Sequence, residues 1–339
     1  MQKLNKFCNV VGLLLLNQLY HLLFVDSFVF ITKNNKKHHI IEQVNHRYKN
    51  KIILWNQQGE VDEESADNTV VVKALIPTRF SREEAIEIIN SKLYPLNEYG
   101  NRIRSGRDAQ GITRSSLVVA DDPKLTFTYG EFPMQSTDKL IDLALQYLDN
   151  NTNTNTNNQS IELLDLGSGC GRLATYLSLC RGNDQMPWNV HGIEIAELLH
   201  SVAIQAVKRG VQEKLFMWKT LSLSNNKDND EDKEEVTTLP QNNNNNNLIL
   251  YQGAAEKWKL DVLSHVDIIF AYCTTWKTCG FSQEMTAMIL HNEWSELLAS
   301  SCRKGCIVIT TDRALDPLYG WELVTRLDVE NNEVMGSTG

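Results

Sequence analysis

Apolar positions in the second half of the chain form short continuous runs, and segments with helical spacing separate these runs. Buried strands are predicted at 163–165, Trp188–Glu194, Leu248–Tyr251, Val266–Cys273 and Cys306–Thr310. Helices are predicted by one apolar face over Leu173, Leu177 and Cys180, and by another over Leu198, Leu199, Val202, Ala206 and Val207. Strands that are apolar on both faces and alternate with helices are typical of a doubly wound, mostly parallel α/β sheet.

A small N-terminal α/β extension is predicted ahead of this sheet, over residues 53–125. Thr69–Leu75 is rich in β-branched residues and predicts a strand, which Pro77 ends. Ser81 and Glu84 then have the spacing of a capping box, which predicts the start of a helix.

The segment 95–118 combines Pro95 and three glycines with several arginines. The arginines are Arg102, Arg104, Arg107 and Arg114. Because proline and glycine interrupt regular structure, we expect a loop or a linker here. Two interpretations stay open: a solvated basic loop, or an arm that faces the substrate.

The catalytic domain is predicted over residues 126–339. Two polar tracts within it, 150–159 and 224–247, lack the apolar residues needed for burial and are expected to be disordered inserts.

The C-terminal part of this domain predicts one more strand, over Trp321–Val329, with a turn at Asn331–Asn332. Sheets of this class usually have a final antiparallel strand after such a turn. We therefore expect either a truncated gene product or a short final strand before Gly339.

The first 52 residues are predicted to form a leader or anchor. Residues 7–25 carry no charge and follow Lys3 and Lys6, which resembles a secretory signal or a signal anchor. The basic stretch 33–51 after it resembles the second part of a bipartite plastid presequence. Four interpretations of this region stay open: routing to the secretory pathway, import into a plastid, a membrane anchor, or a buried N-terminal helix. Any contact with a membrane is expected only through the apolar segment 7–25.

The net charge and the cysteine spacing limit which ligands and cross-links the chain is expected to have. Residues 53–339 contain 25 basic and 40 acidic residues, a formal charge of about −15, which disfavours direct nucleic-acid binding through a broad basic face. The seven cysteines have no zinc-type spacing, so no metal site and no disulfide framework are predicted.

The run Leu163-Leu-Asp-Leu-Gly-Ser-Gly-Cys-Gly-Arg172 has the clearest chemical signal. Its strand ends at Asp165 and breaks into a turn with glycines at alternate positions. Such glycines leave the backbone open to a ligand, and the following helix presents unpaired N–H groups at its N-terminus. A dinucleotide loop requires G-x-G-x-x-G, and Arg172 stands where its last glycine would be. The run fits D-x-G-x-G-x-G, which resembles motif I of the Rossmann-like methyltransferases and predicts S-adenosyl-L-methionine as the cofactor.

The next strand supports this prediction. Glu194 ends it 23 residues after Gly171, about where a ribose-binding carboxylate is needed. Both ribose hydroxyls can donate to such a carboxylate. The alternative is that Glu194 only caps the helix that follows.

Residues 126–339 resemble, in a divergent form, the catalytic domain of the disruptor-of-telomeric-silencing type histone lysine methyltransferases. The matching segments are Tyr129-Gly-Glu131, the glycine run from Asp165, Gly192-Ile-Glu194, Tyr251-Gln-Gly-Ala254 and Val266–Tyr272. The resemblance implies that Tyr-Gly-Glu closes over the methionine part of the cofactor and that the segment after the third strand holds adenine. The cofactor-binding residues predicted in this way are Tyr129, Glu131, Asp165, Gly167, Ser168, Gly169, Gly171, Glu194, Gly253, Ala254 and Ala255.

The acceptor side departs from this family. Phe132 stands where the family has threonine, Ala254 where it has aspartate, and Tyr272-Cys-Thr-Thr-Trp276 where its Asn-Asn-Phe lines the acceptor channel. Methyl transfer from a sulfonium needs alignment and exclusion of water, and an aromatic channel lowers the pKa of a lysine amine by desolvation. The predicted catalytic residues are therefore Tyr129, Tyr272 and Trp276, although packing at the sheet edge is an alternative role for the last two.

Three functions remain open from the sequence. The first is protein lysine methylation of a non-histone partner, and the second is methylation of a small molecule on the same cofactor core. The third is a scaffold that binds the cofactor without turnover. A nicotinamide oxidoreductase is disfavoured by the spacing of the glycines.

Overall fold

The computed structural model describes residues 24–32, 70–116, 130–151, 160–182, 186–222, 245–274 and 276–330. Its strands are β1 Phe24–Thr32, β2 Val70–Ile76, β3 Ile161–Leu166, β4 Trp188–Glu194, β5 Met217–Ser222, β6 Asn246–Gln252, β7 Ile268–Ala271, β8 Thr278–Ser282, β9 Ala287–Leu290, β10 Ile307–Thr311, β11 Arg313–Ala314 and β12 Trp321–Glu330. Its α-helices are α1 Arg82–Ile88, α2 Tyr99–Ser116, α3 Met134–Asn151, α4 Arg172–Cys180, α5 Glu197–Gln212 and α6 Asn292–Ser301.

The main sheet of the described part has nine strands in the order β12-β1-β10-β7-β3-β4-β6-β2-β5. The five central strands, from β10 to β6, pair in parallel. The flanking strands pair antiparallel, β1 and β12 at one side and β2 and β5 at the other. The prediction of a doubly wound α/β sheet with a largely parallel centre is confirmed.

Both faces of the central strands are buried, which explains their continuous apolar sequences. Leu163 packs in the layer formed with α1, α3, α4 and α5, while the next residue, Leu164, packs in the opposite layer with α6. Ile268 and Ile269 divide between the same two layers. Since consecutive strand residues point to opposite faces, each run must be apolar throughout.

Strand β1 corrects the predicted boundary of the leader. Residues 24–32 lie between β10 and β12 and pair antiparallel with both, and Phe28, Val29 and Phe30 are fully buried. This segment therefore belongs to the sheet, and it fills the position beside the last strand where a returning C-terminal strand was expected. The remainder of the predicted leader, 1–23 and 33–52, lies outside the described residues. Within the described part, no helix is long and apolar enough to cross a membrane.

The predicted N-terminal extension is likewise part of the main sheet rather than a separate unit. The predicted strand and helix are both present, as β2 and α1, and β2 lies between β6 and β5 and pairs antiparallel with both. The capping box is confirmed: the Ser81 hydroxyl accepts from the Glu84 backbone N–H, and the Glu84 carboxylate accepts from Ser81.

The predicted loop at 95–118 is wrong for most of its length, because residues 99–116 form helix α2. The helix is held by its packing on α5 and by Arg102, which is only 3% exposed and is bonded to Glu131 and to the Pro95 carbonyl. Long-range contacts here outweigh the low helix propensity of the three glycines.

The edges of the predicted inserts also need correction. Helix α3 extends to Asn151, and β6 begins at Asn246, inside the second tract. Asn246 is fully buried, and its side chain forms hydrogen bonds with the backbone of three residues, Ser178, Arg181 and Trp188. These hydrogen bonds compensate for the burial of its polar amide. The centres of both tracts, 152–159 and 223–244, lie outside the described residues.

Candidate functional site

The glycine-rich turn lies at the carboxyl end of β3, in the middle of the parallel strands. Gly167, Gly169 and Gly171 have φ of +77°, +56° and +73°, in the left-handed region that favours glycine. A Cβ on Gly171 would lie 2.9 Å from the Ala203 Cβ of α5. The turn is therefore shaped by glycine at these positions and packed closely against the next helix.

A cleft with about 400 Å³ of empty volume, partly continuous with solvent, opens above this turn. Of the predicted site residues, it collects Glu131, Asp165, Gly167, Ser168, Gly169 and Tyr272, and it adds Gly130, Phe132, Cys170, Arg172, Leu173 and Phe270. Tyr129 lies outside the described residues.

Asp165 is a buried carboxyl group at the floor of the cleft. It is 4% exposed, and burial, together with the negative charge of Glu194, raises its pKa to about 7. Among the groups that affect its titration, only a backbone hydrogen bond from Ala174 favours the ionised form. A cationic ligand in the cleft would supply the positive charge that ionised Asp165 lacks.

Glu194 lies behind the turn rather than in the lining of the cleft. Its carboxylate accepts at 2.7 Å from the Gly169 backbone N–H and at 2.7 Å from the Ala196 backbone N–H. Burial raises its pKa to about 7 although these bonds favour the charged form. Glu194 thus ties the glycine turn to Ala196, the residue before α5, whose N-terminus has no side-chain cap. Ribose binding by its remaining acceptor positions stays a prediction.

The predicted adenine segment lies beside Glu194. The Gly253 N–H donates to the Glu194 carbonyl at 2.9 Å, and Gly253 has φ of +127°. Ala254 and Ala255 follow, the latter beginning a 3-10 turn, Ala255–Trp258. The Trp258 indole nitrogen would lie 3.7 Å from a Cβ at Gly253, and it has no hydrogen-bond partner within the described ranges. Sequence reasoning missed this buried donor, because nothing in the local pattern places it beside the glycine.

The two predicted aromatic residues occupy different places. The Tyr272 ring lies in the cleft, 5.2 Å from the Phe132 ring, and its Cε1 would be 3.1 Å from a Cβ at Gly130. Trp276 is not part of the lining: its ring stacks on Trp294 at 4.3 Å, and its edge would lie 3.3 Å from a Cβ at Gly167. The structure therefore brings Tyr272 to the cleft and places Trp276 beside Gly167, outside the lining.

Arg102 and Arg172 were not predicted as site residues. Arg172 lines the cleft, and both guanidiniums contact the Glu131 carboxylate. The position of Arg172, directly after the last motif glycine, was a usable signal. Arg102 gave none, since its contact with Glu131 spans 29 residues of sequence.

The described residues contain no group of three or more histidine, cysteine, aspartate or glutamate side chains that could hold a metal ion. The six cysteines in the described ranges are free thiols.

No protein-family model matches the sequence, and no curated protein matches it. Among solved structures, YjhP from Escherichia coli is 16% identical with a TM-score of 0.28, over 55% of this chain and 52% of YjhP. A Listeria monocytogenes protein, provisionally assigned as a class I S-adenosylmethionine-dependent methyltransferase, is 9% identical with a TM-score of 0.30, over 66% of this chain and 62% of that protein. A Methanococcus maripaludis protein, provisionally assigned as an S-adenosylmethionine-dependent methyltransferase, is 12% identical with a TM-score of 0.19, over 44% and 53%.

The chain thus covers between 52% and 62% of the length of these three structures. Two of the three are assigned to S-adenosylmethionine-dependent methyltransferases. Likeness at this level does not assign an activity to this chain. None of the three is described as a histone methyltransferase, so that closer resemblance stays a prediction.

Proposed function

We propose that this protein is an S-adenosylmethionine-dependent methyltransferase that methylates a lysine amine of a protein substrate. The observation that carries the proposal is the combination in one cleft of a glycine turn with three left-handed residues, two carboxylates, and an aromatic wall. The cofactor supplies an electrophilic methyl group when it is bound.

The residues present fit this cofactor. Glu131 and Asp165 present carboxylates to the cleft and suit a ligand with an ammonium and a sulfonium, while Arg172 suits a carboxylate. The open backbone at Gly167 and Gly169 permits close approach of the ligand. Glu194 is the proposed contact for the ribose and Gly253 the proposed contact for adenine, and a backbone hydrogen bond joins these two residues.

The aromatic pair Phe132 and Tyr272 supports an amine acceptor. Phe132 is 4% exposed and packs on Phe270 and Tyr272, so this side of the cleft is apolar and excludes water. An amine next to such a wall loses hydration, and its pKa falls toward the neutral, nucleophilic form. Alignment of that amine and exclusion of water supply the acceleration, without an acid–base triad.

The test is incubation of the full chain with S-adenosylmethionine carrying a labelled methyl group, with a mixed lysine-containing peptide library and with a set of small amines and phenols. We expect label on lysine in peptides and formation of S-adenosylhomocysteine, both reduced in Tyr272→Ala. Label only on small molecules would replace the proposal with small-molecule methylation. Binding of the cofactor without any product would favour the scaffold function.

A further inference from the structure

Three charged side chains meet beside the cleft, and they share one carboxylate. The Arg102 Nε donates to the Glu131 Oε1 at 2.7 Å and its Nη2 donates to Oε2 at 3.4 Å, while the Arg172 Nε lies 3.5 Å from Oε2. The side chains of all three are between 4% and 7% exposed. Buried ion pairs restrict the positions of their side chains, because a partner that moves away leaves an unpaired charge inside the protein.

Arg102 is fixed from its other side by groups outside the cleft. Its Nη1 donates to the Pro95 carbonyl at 3.1 Å, and its guanidinium lies 5.9 Å from the centre of the Tyr94 ring and 5.4 Å from that of Tyr99. Arg102 itself does not line the cleft, and it belongs to α2, outside the motif strands. The direction of the Glu131 carboxylate therefore depends on helix α2, in which no residue with a described side chain lines the cleft.

Among the described residues, the charged groups that line the cleft are two carboxylates, Glu131 and Asp165, and one guanidinium, Arg172. This arrangement complements a ligand end that carries an ammonium and a carboxylate on one carbon. A fixed Glu131 also restrains Arg172, because the Arg172 Nε lies 3.5 Å from its Oε2, so both charges have set positions toward a ligand.

We propose that Arg102 is a positioning residue that holds Glu131 so that the cleft selects ligands with a free amino-acid end over ligands that lack it. This inference rests on the proposed function, since it concerns the methionine part of the proposed cofactor. It assigns to α2 a role in ligand selection rather than in chemistry.

The test compares two adenosyl ligands that differ in this end alone. The full chain and its Arg102→Met variant are titrated by calorimetry with S-adenosylhomocysteine and with 5′-methylthioadenosine, which lacks the amino-acid end. We expect Arg102→Met to weaken S-adenosylhomocysteine binding about 10- to 100-fold and 5′-methylthioadenosine binding by less than about twofold. Arg102→Lys should recover part of the loss, because a single ammonium keeps the charge but not the bidentate geometry.

Arg209→Met is the matched control. Arg209 pairs with Glu98 and bonds the Leu93 carbonyl, so it ties the same region to α5 without reaching Glu131. It should leave the ratio of the two affinities unchanged. Equal loss of both ligands in Arg102→Met, or no loss of either, would overturn the inference while leaving the proposed function intact. A wild-type protein that binds neither ligand would overturn the proposed function, and this inference with it.

Discussion

Replacing Glu194 by glutamine should change how the stability of the protein depends on pH. Glu194 is 3% exposed, and burial raises its pKa from the ordinary 4.5 to about 7. The folded protein therefore keeps a proton on Glu194 at pH values where the unfolded chain has lost it. A carboxyl group with a raised pKa contributes stability that is present below its unfolded pKa and is lost as the pH rises through its folded pKa.

The magnitude follows from the pKa difference. One pKa unit corresponds to about 1.4 kcal/mol, so a rise from 4.5 to about 7 gives an upper limit of about 3 kcal/mol, lost between pH 4.5 and 7. Glutamine does not titrate, so this part of the pH dependence should vanish. Its amide NH₂ must also face one of the two backbone donors, Gly169 or Ala196, which costs about 1–3 kcal/mol at every pH.

Urea unfolding at pH 5, 6, 7 and 8, followed by tryptophan fluorescence and circular dichroism, measures both effects. The wild type should lose more stability between pH 5 and 8 than Glu194→Gln does. A residual slope should remain in the variant, because burial also raises the pKa of Asp165 to about 7. Glu213→Gln, which removes a surface carboxylate that is 47% exposed, is the control and should follow the wild type. Parallel curves for the wild type and Glu194→Gln would refute the reasoning.

Three further predictions concern the turn, the N-terminal strand and the acceptor wall. Gly171→Ala should lower the free energy of unfolding by about 2 kcal/mol and weaken S-adenosylhomocysteine binding, because φ is +73° and the new Cβ would lie 2.9 Å from Ala203. Thermal unfolding and calorimetry measure these two effects. Gly305→Ala is the control for the positive φ alone, since a Cβ there would have no atom within 4 Å. Val29→Asp should lower the free energy of unfolding by about 3 kcal/mol or more, because it places a charge at a fully buried position of β1. A variant that unfolds at the same temperature as the wild type would contradict the position of β1 in the sheet. Tyr272→Ala should reduce methyl transfer about tenfold or more with less than about a threefold change in S-adenosylhomocysteine affinity, and an equal loss of both would contradict its role as an acceptor wall.

The parallel centre of the fold was predictable because its signal is local. Each central strand is buried on both faces, so its apolar run is visible without knowledge of its neighbours. Strand β1 gave no such signal, since an apolar run after basic residues fits both a leader and a buried strand, and its partners β10 and β12 lie far along the chain. Helix α2 was missed for a related reason: it is held by the bond from Arg102 to the distant Glu131 and by packing on α5, which its own sequence does not show.

The candidate site was predictable where it depends on the motif turn. Glycines at alternate positions after a strand indicate a turn with left-handed residues, and the structure has this conformation at Gly167, Gly169 and Gly171. The pairing of Glu131 with Arg102 and Arg172 could not be predicted, because it joins the segment before α3 to two different helices, α2 and α4. The hydrogen bonds of Glu194 could not be predicted, since its bonds to the Gly169 and Ala196 N–H groups depend on how the turn folds back on the end of β4.

Calorimetric titration of the full chain with S-adenosylmethionine, S-adenosylhomocysteine and NADH tests the central claim most directly. The site predicts binding of both adenosyl ligands with micromolar dissociation constants, weakened in Gly171→Ala, and no binding of NADH. A folded protein that binds neither adenosyl ligand, or that binds NADH in their place, would contradict the claim that this cleft holds S-adenosylmethionine.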